Sequence, residues 1–335
     1  MCKLELIVDM GTATTVIIER KRGLLMSQPS LVAVLQKEGK PKLVAVGDEA
    51  LALRKKKPQD VMFVYPIVGG VVANREAASL MIKGFLTQIT QKMLIRPQLD
   101  VMQIVSCGLH TTDRRAWEEV YYQLGIKSVT LIEAPIAAAS HVVGGADFVV
   151  VVGAGITDIA IVGESGIMAG CSIDIAASKM DDAIISYVYN KYNAAITRAR
   201  AADLRAKRGT LSERDVSATE VNAKDVLDGR MKKIEVTGED LRLAITPLVN
   251  TLCDAIWAMF RLCPEQMVES VKHGGVKLYG GVAGLHYLDS YLSDKLKLSV
   301  EVHSSPEALA ESAALFFNDK DKLYKMMGLG KEVDR

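Results

Sequence analysis

The chain has 335 residues, 49% hydrophobic and 24% charged, enough apolar surface for a real core and a length that suggests about two domains. Lysine plus arginine (41) against aspartate plus glutamate (40) leaves a net charge of +1, and aromatics make up 5%, so neither a broadly basic nucleic-acid binder nor a base-stacking platform fits. The cysteines (Cys2, Cys107, Cys171, Cys253, Cys263) form no C-x-x-C pair. No signal peptide or membrane-length apolar run is visible, so the expectation is a cytoplasmic protein with peripheral membrane contact left open.

In chain order, Leu4–Asp9 reads as a strand, Met10–Ala13 as a tight turn and Thr14–Glu19 as a second strand. Ala77–Lys92 is apolar at helical spacing, and Val101–Val105 is a short strand. Thr111 or Thr112 is a candidate cap for a helix that carries Trp117, Val120, Tyr121 and Leu124 and stops at Gly125. Ser128–Ile132 is a strand, and Pro135 opens a small-residue helix over Ile136–Val142. A second hairpin follows, with strands Phe148–Val152 and Thr157–Val162 around a Gly153–Ile156 turn. Asp181–Asn193 and Ala199–Lys207 read as helices, Lys232–Val236 as a strand, and Thr237 with Asp240 as the start of a long helix to about Cys263. Val276–Tyr279 is a strand that leads into Gly280-Gly281 and a helix from Leu285. The pattern is α/β with mixed sheets, and two similar hairpins predict two lobes of related architecture.

Three turns are suited to chemistry. In Asp9-Met10-Gly11-Thr12-Ala13-Thr14, glycine allows close backbone approach, successive amides can form an anion-binding nest, and the threonines add hydroxyl donors. Asp9, at the strand end, is placed to hold a hydrated Mg²⁺ through water. Gly153-Ala154-Gly155-Ile156-Thr157 is the second turn, with Asp158 just beyond it, and Gly280-Gly281 is the third. A single glycine turn is commonly just a turn, whereas three in this order, the first two inside hairpins, are far more specific.

With these residues in place the chain resembles the actin superfamily, and within it the MreB family of bacterial rod-shape proteins. Asp9-Met10-Gly11-Thr12-Ala13-Thr14-Thr15 is similar to that family's first phosphate loop. Gln28–Ala33, Val46–Ala50, Tyr65–Ala73, Asp113–Ala116, Ile132–Pro135, Ala183–Val188 and Leu278–Gly281 have counterparts in order, from about Leu4 to Phe317. The resemblance implies an actin/Hsp70-ATPase-like two-lobed fold, each lobe a mixed sheet flanked by helices, with ATP or ADP and Mg²⁺ in the cleft. It implies four subdomains: 1–30 plus 67–145 plus 305–335 (IA), 31–66 (IB), 146–175 plus 245–304 (IIA) and 176–244 (IIB). It also implies head-to-tail filaments. Expected at the nucleotide are Asp9, Gly11, Thr12, Ala13, Thr14, Gly153, Gly155, Thr157, Asp158, Arg205, Gly280 and Gly281, with Asp9 on the metal side.

The departures from the family pattern carry equal weight. The glutamate that positions the attacking water in the family is replaced by Ala134, with Glu133 one position earlier. The aspartate that opens the second phosphate loop is Val151, and a Gly-Gly-Asp beside the nucleotide is Ala176-Ala177-Ser178. Two glutamates on the helix that faces the nucleoside are Ala202 and Lys207, the lysine between them is Arg205, and a third glycine after Gly280-Gly281 is Val282. Loss of a positioned proton-transfer group costs about 10²–10⁴ in rate, so weak or absent hydrolysis and weakened nucleotide affinity are expected. The alternative reading is a divergent paralogue without nucleotide dependence, acting as a constitutive filament, scaffold or regulator of another cytoskeletal protein. A small-molecule kinase or Hsp70-type chaperone fits less well, because no catalytic acid and no peptide-binding domain are evident.

The resemblance also implies a membrane-contacting loop at Met93-Leu94-Ile95, flanked by Lys92 and Arg96. A helix end packed on its own lobe is the other reading. Arg54-Lys55-Lys56-Lys57 is either a solvated helix end, a lipid contact or a contact to the next subunit. The charged tail Asp319–Arg335, with Leu323, Met326, Met327 and Leu329 at helical spacing, is expected to be a surface or frayed helix. The dispersed histidines suggest no metal site, and Cys107 suggests an inert buried thiol.

Overall fold

The computed structural model describes residues 3–35, 41–91, 93–94 and 97–329. Two five-stranded mixed sheets organise the chain. The first is built from β1 (Lys3–Met10), β2 (Thr14–Glu19), β3 (Gly23–Pro29), β4 (Gln98–Val105) and β5 (Ser128–Glu133). The second is built from β6 (Ala146–Val152), β7 (Thr157–Gly163), β8 (Gly166–Ile173), β9 (Val276–Tyr279) and β10 (Val300–His303). Read from its third strand outward, each sheet has the same order: third, second, first, fourth, fifth. In each, the first three strands form an antiparallel meander, and the last two add in parallel beside the first. The two hairpins seen in the sequence are the first two strands of these matched sheets.

Strand alternation sorts the apolar residues into layers. Leu6 and Val8 face outward in the first sheet, onto the helices α2 (Arg75–Thr90) and α3 (Thr111–Tyr122); α1 (Gly47–Lys55) packs on a smaller sheet nearby. Ile7, Val16 and Ile104 face inward, and so do Val149, Val151 and Ala160 of the second sheet. Between these inner faces lie α4 (Ala134–Ala138), α10 (Ala308–Ala314) and α11 (Lys320–Met326). Phe148, Val150 and Val152 face outward from the second sheet, onto a core that includes α5 (Ala177–Tyr192), α6 (Arg198–Arg208), α7 (Gly238–Phe260), α8 (Val268–Gly274) and α9 (Leu288–Leu296). Each lobe is thus a mixed sheet with helices on both sides, and the middle helical layer is shared. Two smaller three-stranded sheets complete the fold. One has Val32–Leu35 between Lys42–Val46 and Val61–Val64; the other has Ala218–Asp225 between Ala194–Ala195 and Met231–Thr237.

The long helix α7 starts on a capping box, in which Thr237 accepts from the Asp240 amide and the Asp240 carboxylate accepts from the Thr237 amide. It is the one helix among the described residues long and apolar enough to cross a membrane, but Leu241, Ile245, Val249, Leu252 and Ile256 bury its inner face in the second lobe. Several expectations need correction. Helix α3 is capped by the His110 backbone without a side-chain bond, so neither threonine is the cap. The small-residue helix ends at Ala138, and the helix expected from Leu285 starts only at Leu288, because Tyr287 adopts a left-handed conformation (φ 64°). The tail is not frayed over α11: Leu323 and Met326 are buried between the lobes. Lys320 pairs with Asp100 of the first sheet at 3.3 Å, and Lys325 pairs with Glu164 of the second at 3.6 Å.

Candidate functional site: the cleft between the lobes

The two glycine turns have the same internal geometry. The Gly11 amide donates to the Thr14 carbonyl at 3.0 Å, and the Gly153 amide donates to the Ile156 carbonyl at 3.0 Å. At both glycines an added Cβ would meet that same carbonyl oxygen at 3.0 Å, tighter than side-chain carbons normally sit. The turns also meet each other: a Cβ at Gly155 would come within 2.5 Å of Thr12 Oγ1 and 3.0 Å of the Gly69 amide. Gly280, at φ 98°, packs against the Val152 backbone, where a side chain has no room, while Gly281 beside it faces open space.

These turns line a cavity of about 370 Å³ between the lobes, within the usual range for small-molecule sites. Asp9, Gly11, Thr12, Ala13, Thr14, Gly153, Gly155, Asp158, Arg205, Gly280 and Gly281 all line it. Thr157 does not. Its hydroxyl donates to the Ile175 carbonyl at 2.5 Å, just past β8. Its positional twin in the first sheet, Thr15, does the same kind of work, sharing a 2.8 Å hydrogen bond with Ser30 just past β3. Each threonine fastens the root of its own turn, a role the turn sequence alone does not separate from ligand binding.

The same twinning explains the asymmetry of charge. Asp9 precedes Gly11 by two residues, and Val151 precedes Gly153 by two, so a carboxylate faces the cleft from one sheet and a valine from the other. Burial, and then the neighbouring Asp158 carboxylate, push the Asp9 carboxyl up to about 7. Burial also raises Asp158, to about 6, against the pull of two donors: the Ser172 hydroxyl and the Cys107 amide, the latter at 3.0 Å. Ser172 also donates to the Cys107 carbonyl at 2.8 Å, so this cluster joins the second sheet to the end of β4 across the cleft. The Cys107 thiol itself is buried and pushed well above its ordinary value, primarily by burial, as expected of an inert thiol.

Other departures fall on or beside the wall. Ala134, Val151, Ala177 and Val282 line the cleft, whereas Ala176, Ser178, Ala202 and Lys207 do not. Glu133 does not stand in for Ala134: it is paired with Arg114 of α3 and accepts from the Gly108 amide at 3.4 Å. Among the described residues that line the cleft, Arg205 is the only cationic side chain, and its Nε already donates to Asp181 at 2.7 Å. Gly70, Val105, Ser106 and Trp117 also line the cleft and were not picked out from the sequence as site residues. The paired glycines at 69 and 70, both at positive φ, were the available signal.

Of the surface expectations, Leu94 is fully exposed and Met93 is half-buried against the first lobe, while Ile95, Lys92 and Arg96 lie outside the described residues. Arg54–Lys57 form the exposed end of α1, where positive charge complements the helix dipole, and Arg54 donates to the Tyr65 hydroxyl at 3.2 Å.

Twin sheets around a shared helical layer, with one turn from each sheet meeting at the floor of a cleft, define an actin-like protein. The likeness to solved structures bears this out: MreB5 of Spiroplasma citri bound to AMPPNP superposes with a TM-score of 0.86 at 24% identity, over 98% of this chain and 100% of that one. The MamK double helical filament subunit follows at a TM-score of 0.77 and 17% identity, over 95% and 99%. The model of the MreB/Mbl protein family matches residues 3–325, and the chain belongs to that family. It is 29% identical to the cell shape-determining protein MreB of Escherichia coli over 312 residues, covering 90% of this chain and 89% of that protein. It is 28% identical to the cell shape-determining protein Mbl of Bacillus subtilis over 332 residues, covering 95% and 97%.

Proposed function

We propose that this protein is a filament-forming actin homologue of the cell-shape cytoskeleton whose cleft takes ATP or ADP with Mg²⁺ and hydrolyses slowly or not at all. The observation that carries the reading is the meeting of the two matched turns at Thr12 and Gly155, which aims backbone from both lobes at one cavity. Cramped glycines and open Gly281 fit a ligand that needs close backbone approach. The free cationic charge a polyanion requires is lacking on the wall, so Mg²⁺ supplies it. Among the described residues no group of three or more His, Cys, Asp or Glu side chains could hold a metal ion, so Asp9 would hold it through water and phosphate oxygens. Bound Mg²⁺ neutralises phosphate charge; amides of both turns orient the phosphates. With apolar side chains at Ala134 and Val151, the carboxyls left on the described wall are Asp9, assigned here to the metal side, and Asp158, which already accepts from Ser172 and the Cys107 amide.

The four-part division expected from the family (1–30, 67–145 and 305–335; 31–66; 146–175 and 245–304; 176–244) is consistent with each small sheet lying within one insert. Self-association head to tail builds an open filament, since heterologous contacts need not close. Calorimetry with ATP and ADP, with and without Mg²⁺, and electron microscopy of the same samples test the reading. Mg²⁺-dependent binding is expected, with phosphate release about 10²-fold or more below relatives that carry the glutamate. Turnover equal to theirs overturns slow hydrolysis. Filaments without any nucleotide binding would support the constitutive scaffold instead, which the apolar Val151 and Ala134 positions favour. Contact with a membrane through Met93-Leu94-Ile95 is a further part of the proposal, supported by the bare Leu94. Leu94→Ser should reduce pelleting with anionic liposomes, and equal pelleting removes the loop from the scheme.

A further inference from the structure

The wall of the cleft carries a hydroxyl that the scheme above leaves unused. Ser106 follows the last residue of β4 and is 7% exposed. The chain just beyond it is clamped to the second sheet: the Cys107 amide donates to Asp158 at 3.0 Å, and the Cys107 carbonyl accepts from Ser172 at 2.8 Å. Thr15, Thr157 and Ser172 all use their hydroxyls inside the protein, whereas the Ser106 hydroxyl has no hydrogen-bond partner among the described residues. It is not sealed off either. Among the described residues the side-chain polar atoms both unpartnered and closed to solvent are Trp117 Nε1 and His303 Nε2, and Ser106 Oγ is not one of them. Ser106 lines the cleft and is otherwise covered, so the small part left open, hydroxyl included, faces the cavity. A polar group held in such a place without a protein partner calls for one from outside.

Glycine packing fixes where this hydroxyl stands. A Cβ at Gly70 would strike Ser106 Oγ at 2.1 Å and come within 3.3 Å of Ile156 in the second turn. Glycine at residue 70, with φ 78°, therefore leaves the hydroxyl room that a side chain would take. Next to it, the Gly69 amide and Thr12 Oγ1 both meet Gly155. The hydroxyl thus adjoins the junction of the two turns, whose amides are the groups assigned above to the phosphates.

We infer that the Ser106 hydroxyl donates to a phosphate oxygen of the bound nucleotide, adding a side-chain donor from the first lobe to the backbone donors of the turns. This rests on the nucleotide reading proposed above. Phosphate oxygens only accept, so the hydroxyl acts as the donor, and a hydrogen bond to a charged acceptor is among the stronger kinds. In the empty cleft, water takes the place of the phosphate.

The test compares wild type with Ser106→Ala, which removes the hydroxyl and no hydrogen bond that the protein makes by itself. Calorimetry with Mg²⁺ measures ADP and a non-hydrolysable ATP analogue, and adenosine is measured by competition. Both nucleotides are expected to bind about 10- to 100-fold more weakly to the variant, with adenosine changed less than about twofold. The denaturant midpoint of the nucleotide-free protein should not fall. Unchanged nucleotide affinity overturns the assignment, and so does a loss for adenosine as large as that for ADP. A lowered midpoint would make the hydroxyl a structural group and overturn it as well. If wild type binds neither nucleotide, the nucleotide reading fails and this inference with it; if wild type binds and the variant binds equally well, only the role of Ser106 is removed.

Discussion

Asp9 is the one cleft carboxylate without a hydrogen-bond donor in its described surroundings to offset burial, and its raised carboxyl sets the pH behaviour of the site. The unfolded chain ionises this group from about pH 4 upward, whereas the folded chain keeps it protonated to about pH 7. Folding stability from this residue therefore falls as pH rises across that window and is flat above it. Asp9→Asn should raise the stability of nucleotide-free protein, and the gain should be larger at pH 8 than at pH 5 by about 2 kcal/mol. Denaturant unfolding at the two pH values measures it, and a pH-independent effect would show that Asp9 ionises normally. The same residue bears on the cation proposed for the site. Two raised carboxyls, Asp9 and Asp158, face a cleft whose single arginine is already engaged.

At the scale of elements, the sequence displayed most of what lies on regular alternation. The paired hairpins were legible because each turn carries glycine between apolar strands, and α7 was legible because Thr237 and Asp240 announce its start. Strands β3, β8 and β10 were not legible, because each is a partly exposed strand without a clean buried face. The tail was misread because its two buried residues, Leu323 and Met326, stand among lysines and aspartates whose partners, Asp100 and Glu164, are far away in sequence. In the cleft, the glycines could be read directly, while Thr157 could not be sorted from a ligand-facing threonine without seeing Ile175.

Two predictions belong to this scale. Leu323→Ala should destabilise the protein by about 2–5 kcal/mol, because α11 is wedged between lobes, while Leu329→Ala, half-exposed, should change little; thermal unfolding checks both. Burial opposes ionisation of Asp240, yet the Lys191 ammonium, the Thr237 amide and the Tyr192 hydroxyl hold its carboxyl down to about 2. A depressed carboxyl stabilises the fold above about pH 4, and that contribution is lost as pH falls toward 2. Asp240→Asn should therefore lower stability at pH 7 and remove part of the acid dependence between pH 4 and 2. An acid transition identical to wild type would rule the residue out as a contributor.

At the scale of the molecule, the lobes are joined by a shared apolar layer and by a polar cluster on the wall of the cleft. Asp158 of the second sheet accepts from the Cys107 amide of the first, so the charge state of the cleft and the seating of the lobes are linked. If the cleft takes Mg²⁺-nucleotide as proposed, the cation would favour the ionised form of Asp9 and lower its carboxyl from about 7. Binding at pH 7 should release a fraction of a proton, seen as a calorimetric enthalpy that changes with the ionisation enthalpy of the buffer. Binding at pH 9, where Asp9 is already charged, should release almost none. Equal buffer dependence at both pH values would assign the proton to another group.

The duplicated turn has a consequence for how such a protein ages. Side chains on the wall can be exchanged one at a time, each costing a single interaction, and Ala134, Val151, Ala177 and Val282 already present only methyls or isopropyls to the cleft. The glycines allow no such piecemeal trade: a methyl at residue 11 or 153 presses on its own loop, and one at 155 drives the opposing loop away. Chemistry can therefore wear off this scaffold gradually, whereas the grip between its halves survives whole or is lost outright.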